Sequence, residues 1–234
     1  INNVPTIRRD KMAEKNEKKR NEILRNSYIL FSKYGYNNTP LSTIAKKSHI
    51  SKSLLQYYYP QKQNITRDLL DDMLKISSQH IGDISNIQNK TDLMEKMACY
   101  MAVFFHACEK NLRLFHFVQT TISEQLLLDI WLDIIFENAR QWNWWIEYGF
   151  TVLEMKTGIT CSVLSSVKLI QYRENLGVDV QYACDLYTFI LMSILGFEHS
   201  GIEVVQKRVR EILSSYDFNS FLDFCQEKIE WFVL

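Results

Sequence analysis

The stretch TPLSTIAKKSHISKSLLQYYYP, residues 39–60, decides the fold of this chain. Thr39-Pro40 reads as an N-cap followed by proline at the first helical position, where its missing N–H is no loss. Leu41, Ile44 and Ala45 give the helix that follows an inward face ending near Ser48. Lys47-Ser48-His49-Ile50 then reads as a tight turn, Ser51 as a cap, and Leu54, Leu55 and Tyr58/Tyr59 as a second short helix that Pro60 closes. Two short helices joined by such a turn can push the second into a DNA major groove, provided a longer helix buttresses them.

That buttress lies upstream. From about Lys15, the residues Ile23, Ser27, Leu30, Phe31 and Tyr34 recur at three- and four-residue intervals as one buried stripe, and Gly35 supplies a left-handed stop. Residues 1–14, with Pro5, Arg8, Arg9 and Lys11, read as a flexible basic arm. Downstream, a longer helix starting near Lys62 carries Ile65, Leu69, Leu70, Met73, Leu74 and Ile76 toward Ile81, where Gly82-Asp83 interrupts it. Further helices are predicted over about 91–108, 111–119, 124–155, 161–175, 179–198, 202–215 and 217–232, with Asn111, Gly158, Gly177, Gly201 and Asp217 as breaks. The fold class is therefore all-α. The expected organisation is an arm at 1–14, a three-helix helix-turn-helix domain at 15–61, a connecting helix at 62–82 and a larger helical domain at 83–234.

Composition agrees. Among 234 residues only 7 are Gly and 3 are Pro, so turns are few. Net charge is zero, but unevenly placed: residues 1–67 carry 14 Lys/Arg against 4 Asp/Glu, and residues 68–234 carry 13 against 23. A basic module on an acidic one is the footprint of a polyanion-binding head on a body with other work. The five cysteines, Cys99, Cys108, Cys161, Cys184 and Cys225, are odd in number and set in apolar helical stretches, which points to a reducing cytoplasm rather than a disulfide framework. No apolar run is long enough to span a membrane, and no signal-peptide core is present. Neither a phosphate loop, a nucleophile elbow nor a His-Glu-x-x-His motif appears, and Cys99, His106 and Cys108 match no standard zinc spacing. No enzymatic activity, cofactor or metal is expected.

On the second short helix, Lys52, Ser53, Gln56 and Tyr57 lie on or beside the outward face. Glutamine can pair with adenine through two hydrogen bonds, lysine with guanine or phosphate, and tyrosine and serine with phosphate. Lys46, Lys47, Ser51, Tyr58 and Lys62 complete the expected DNA-facing set, with Arg67 adding positive charge nearby.

The segment from Arg20 to Leu69 resembles the DNA-binding segment of the tetracycline-repressor (TetR) family. The resemblance rests on Ile23-Leu24, Phe31, Gly35-Tyr36, Thr39, Ile44-Ala45, Ile50-Ser51-Lys52, Leu55, Tyr57, Tyr59 and Lys62. It implies that Lys52 approaches DNA, that Tyr57 contacts phosphate and that Lys62 anchors the next helix beside the backbone. His49 stands where the family usually has glycine, Gln56 where tyrosine is common, Tyr58 where histidine is common and Tyr59 where phenylalanine is usual.

For the rest of the chain the resemblance supplies a plan, an all-α ligand-binding and dimerisation domain. It implies a homodimer formed by two helices near the C-terminus, here about 161–175 and 179–198, with Leu186, Tyr187, Ile190 and Ile194 as interface candidates. Aromatic residues crowd this part of the chain, and Phe105, His106, His116, Trp131, Trp145 and Tyr148 are the candidate ligand contacts, with Gln141 and Asn143 as further polar anchors. The expected function is a sequence-specific transcriptional regulator, a repressor by family habit, that binds a palindromic operator in double-stranded DNA and is switched by a small-molecule effector. Two other readings stay open: a DNA-binding architectural or cell-division factor without an effector, and an all-α enzyme or protein-interaction module without DNA binding.

Overall fold

A computed structural model describes the backbone of residues 4–81, 87–141 and 144–234, and the side chains of 15–80, 87–140, 145–173 and 175–234. Among the described residues there are twelve helices and no strand. Helices α1 (Val4–Tyr34), α2 (Leu41–Lys47) and α3 (Lys52–Tyr58) form the head, and α4 (Lys62–Ile81) leaves it. The remainder comprises α5 (Lys90–Lys110), α6 (Leu112–Ile122), α7 (Gln125–Gln141), α8 (Trp144–Glu147), α9 (Val152–Leu176), α10 (Val180–Ile194), α11 (His199–Ser214) and α12 (Phe218–Lys228). The expected break at Gly82-Asp83 and the polar anchors Gln141 and Asn143 lie outside the described residues or side chains.

Helix α5 is apolar on almost every side, from Leu93 to Cys108, and a helix of that kind sits at the centre of its neighbours. It packs against α4, α6, α10, α11 and α12. Its N-terminus is closed by Asn89, whose side chain accepts from the backbone N–H of Thr91 and Asp92.

Several expected boundaries move, each for a local reason. Helix α1 reaches back to Val4, into the segment read as an arm, because Pro5 sits in the first turn and nothing after it opposes helix. Tyr34, expected in the buried stripe, is 51% exposed, since the helix ends there and Gly35 (φ +81°) turns the chain away. The single helix expected over 124–155 is divided into α7, α8 and the start of α9. Gly149 takes a left-handed conformation (φ +81°), and Thr151 and Glu154 form a reciprocal cap: the Thr151 hydroxyl accepts from the Glu154 N–H (3.2 Å) and the Glu154 carboxylate from the Thr151 N–H (2.8 Å).

Gly158, expected as a break, lies inside α9 instead. A Cβ there would stand 3.0 Å from Leu191 Cδ1, so the missing side chain is what lets α9 and α10 approach. Helix α12 stops at Lys228 rather than near 232. The residues beyond it turn inward, and Ile229, Trp231 and Phe232 are all buried.

That tail joins head to body. Tyr28 of α1 is fully buried, edge-on to Phe117 of α6 (ring centroids 5.3 Å) and to Trp231 (5.4 Å), with Phe232 at 5.7 Å. Arg113 fixes the end of the tail by donating to the carbonyls of Val233 (3.2 Å) and Leu234 (2.9 Å). The core is thus continuous from Ile23 to Phe232. The opposite surface charges of the two parts say nothing of what is packed beneath them, and here the packing is shared.

Candidate nucleic-acid interface

The turn between α2 and α3 is built by the backbone. Ser48 donates its N–H to the Ile44 carbonyl, His49 to Lys46 and Ile50 to Ala45, a closure that requires a left-handed residue, and His49 supplies it (φ +52°). Ser51 then caps α3, accepting from the Leu54 N–H at 3.1 Å. Thr39 does not cap α2. Pro40 holds that position, while the buried Thr39 hydroxyl donates to the Gly35 carbonyl (2.8 Å) at the end of α1, where helix carbonyls lack partners.

Leu55 and Tyr59 are buried and tie α3 to the scaffold, which leaves its other side open. Lys46, Lys47, Ser51, Lys52, Ser53, Gln56 and Tyr57 are all exposed, Tyr57 by 78%. The basic, serine, glutamine and tyrosine side chains of the expected set are thus all open to solvent. Two expected members differ. The Tyr58 hydroxyl is half-buried and donates to Asn16 Oδ1 of α1 (3.1 Å). Lys62 turns inward, donating to the Tyr36 carbonyl (2.6 Å) with its ammonium 3.8 Å from the centre of the Tyr36 ring. Burial lowers its pKa, with the Glu124 charge acting in the opposite direction. Its work here is to fasten α4 to the end of α1 rather than to offer a charge outward.

Sequence reasoning passed over the supports. Asn26 of α1 donates to the Lys47 carbonyl (3.3 Å) and the Ser48 hydroxyl (3.1 Å), bracing the turn from behind. Arg20 and Tyr59 both donate to Asp68 of α4 (2.9 Å each), and the Trp231 indole donates to Asp72 (2.8 Å). Burial opposes the Arg20 charge, yet Tyr59, Asp68 and Asp72 outweigh it and raise its pKa. Burial, then the neighbouring Asp68, pushes the Tyr59 phenol up, which keeps it a neutral donor. No local sequence signal marks these pairs, since each spans different helices.

Of the candidate ligand residues in the body, Phe105 lines a small pocket together with Phe115, Val118 and Gln119. Phe105 and Trp131 are buried on either side of Phe104 (6.4 and 5.4 Å between ring centroids). Trp145 is buried beside Phe136, Tyr148 is half-buried, and His116 is exposed next to Phe115. His106 lies near Glu109 (3.6 Å) and the Phe218 ring. Two small voids occur nearby, each of about 10 Å³, room for a single water. One is lined by Met97, Tyr100, Ile135, Asn138, Ala139 and Tyr187, none of them among the expected contacts.

Of the dimerisation candidates, Leu186, Ile190 and Ile194 are part-exposed on α10, whereas Tyr187 is buried within its own chain and faces the core. Sequence reasoning also missed exposed apolar side chains on these two helices: Leu153 (76% exposed), Tyr172 and Leu176 on α9, and Tyr182 and Phe189 on α10.

Residues 23–69 match the family model described as bacterial regulatory proteins, tetR family. The head, from α1 to the first turns of α4, is thus similar to that family's regulatory proteins. Among solved structures, RolR in complex with the ligand resorcinol superposes at a TM-score of 0.58 and 15% identity, over 84% of this chain and 96% of RolR. RolR without ligand gives 0.57 and 14%, over 80% and 95%. A TetR transcriptional regulator from Rhodococcus sp. RHA1 gives 0.50 and 13%, over 77% and 96%. At these identities the likeness is one of fold. No curated protein matches the sequence.

Within the head, His49 carries a left-handed turn of a kind that favours glycine. Histidine tolerates positive φ at modest cost, and a β-branched residue does not. His49→Val is therefore expected to lose about 1–2 kcal/mol, while His49→Gly stays within about 0.5 kcal/mol of the parent, strain relief being offset by chain entropy. Urea unfolding of the two variants checks the sign, and equal losses in both contradict it.

Proposed function

We propose that this chain is a sequence-specific transcriptional regulator, acting as a repressor in the cytoplasm, that binds duplex DNA as a homodimer and is switched by a small molecule. The reading assigns the DNA-binding domain to residues 15–61, the connecting helix to 62–82 and the ligand-binding and dimerisation domain to 83–234. The observation that carries it is the free surface of α3, where Lys52, Ser53, Gln56 and Tyr57 all face solvent on a scaffold closed behind them. Lys46, Lys47 and Ser51 extend that surface as phosphate contacts.

Binding rather than catalysis carries the action in this reading. Two copies joined through the outer face of α9 and α10 would hold paired α3 helices for half-sites about 34–36 Å apart, or a multiple of it, on a palindromic operator. RolR is a fold neighbour that takes resorcinol, and the aromatic body here suits a small, largely apolar effector. Voids of about 10 Å³ are too small for one, so the effector would act by selecting an expanded arrangement of the body. The small size of these two voids also suits the second reading, an architectural factor without effector, whose DNA affinity would be indifferent to small aromatic molecules.

Fluorescence anisotropy of the full chain on duplex genomic fragments at several salt concentrations tests DNA binding. Affinity is expected to fall linearly in log–log form, with a slope that counts the phosphates neutralised. Absence of salt-dependent binding at any concentration sinks the reading. The dimer has its own check in Cys161, the exposed cysteine of α9; Cys99, Cys108, Cys184 and Cys225 are buried. Burial, followed by the Glu95 charge, pushes the Cys99 thiol up to about 12, so thiol reagents reach it only on unfolding. Cys161 is expected to label rapidly in dilute protein and slowly as concentration rises; a concentration-independent rate excludes an interface over this part of α9.

A further inference from the structure

A cleft outside the proposed DNA surface lies where the end of α1, the corner between α5 and α6, and the tail meet; it is open to solvent and holds about 500 Å³. Its walls bring together Lys33 from the head and Lys110, Arg113 and His116 from the body. No Asp or Glu side chain lines it, and among the described residues none lies within ion-pair distance of these four side chains. That is unusual for a body whose overall balance is acidic. Leu234 also lines the cleft and its oxygen accepts from Arg113, so Lys33 and Lys110 are the positive charges left facing the concavity, with His116 beside them.

Other features share its sign. The first turn of α6 opens into the cleft at Leu112, adding the partial positive charge of backbone N–H groups near a helix start. Lys33 and Lys110 are exposed, and Lys33 otherwise approaches only the Tyr34 ring (5.0 Å). Arg113 is partly committed to the Val233 and Leu234 carbonyls, which leaves Lys33, Lys110 and His116 to meet a ligand. One edge of the cleft is apolar, formed by Ile29 and the 68%-exposed Leu112.

We propose that this cleft binds a small organic anion, its carboxylate or phosphate held by Lys33, Lys110 and His116 and its apolar part laid on Ile29 and Leu112. Basic groups on two walls and a volume of this size suit a small anion. Because Lys33 belongs to the head and the other basic groups to the body, a bound anion bridges the two and resists their relative movement. Of the six residues expected to contact an effector, His116 alone lines this cleft, and the site does not depend on what α3 binds.

Isothermal titration of the full chain with benzoate and with inorganic phosphate, against chloride at matched ionic strength, tests the site. Saturable binding is expected, weakened about tenfold or more in the Lys33→Ala/Lys110→Ala double variant. Lys75→Ala, far from the cleft on α4, is expected to bind as the parent does. Binding of benzoate supports a carboxylate ligand and binding of phosphate alone a phosphorylated one. Heat that never saturates with either anion, or a double variant that binds like the parent, overturns the proposal. So does a double variant that loses affinity for mixed-sequence duplex DNA by the same factor, since the cleft would then belong to the nucleic-acid surface. Circular dichroism and urea unfolding of the double variant keep a folding defect distinguishable, and both lysines are exposed.

Discussion

Trp231→Ala is expected to destabilise the protein by about 3–5 kcal/mol, the range for emptying a buried aromatic site, and to lower its melting temperature by roughly 10 °C. The indole is 1% exposed, lies edge-on to Tyr28, and makes the 2.8 Å hydrogen bond to Asp72. Truncation removes the packing between the tail and α1 and also strips a donor from a carboxylate whose pKa burial already raises, against the lowering effect of that donor and of Arg20. Trp231→Phe separates the parts. It keeps most of the ring contact but loses the N–H, and is expected to cost about 1–2 kcal/mol beyond the volume change. Urea unfolding monitored by circular dichroism measures both. A loss under about 1 kcal/mol in the alanine variant would show that the tail is not part of the cooperative core.

The second large effect concerns DNA. Lys52→Ala combined with Tyr57→Phe is expected to weaken duplex binding about 50-fold, as one charge-assisted contact and one neutral hydrogen bond to phosphate are removed. The salt slope should fall by about one, because only the lysine releases a counterion. Stability should stay within about 0.5 kcal/mol of the parent, since both side chains are exposed. The Tyr57 ring, which meets the Tyr58 ring edge-on at 5.6 Å, is retained in the phenylalanine variant. An unchanged affinity at every salt concentration would remove α3 from the DNA surface.

The head was legible because its signals are local. Gly35, the turn through His49 and the Ser51 cap each act within a few residues, and all three stand where the sequence places them. Exposure of Lys52, Ser53, Gln56 and Tyr57 follows from the same helical period that buries Leu55. The partner of Lys62 was not legible, because nothing in its neighbourhood announces that Tyr36, across the bend, offers a carbonyl and a ring. Thr39 was misjudged: a threonine before proline has the form of a cap, but its hydroxyl finds the carbonyls ending α1. In the body, Gly149 with Thr151 and Glu154 is a stop and start that a scan for apolar period runs through, whereas Gly158 looks like a stop and is a close contact.

The sequence alone determined the all-helical class, the helix-turn-helix and the outward residues of α3, because period, caps and left-handed turns are settled within one or two helical turns of chain. Tertiary structure alone decided that Tyr28, Phe117 and Trp231 share one core, that Tyr187 faces inward, and that Lys33 joins Lys110 and His116 around a cleft. Such meetings depend on how whole helices cross, and a helix's own residues fix which face it buries but not which distant side chain it finds there.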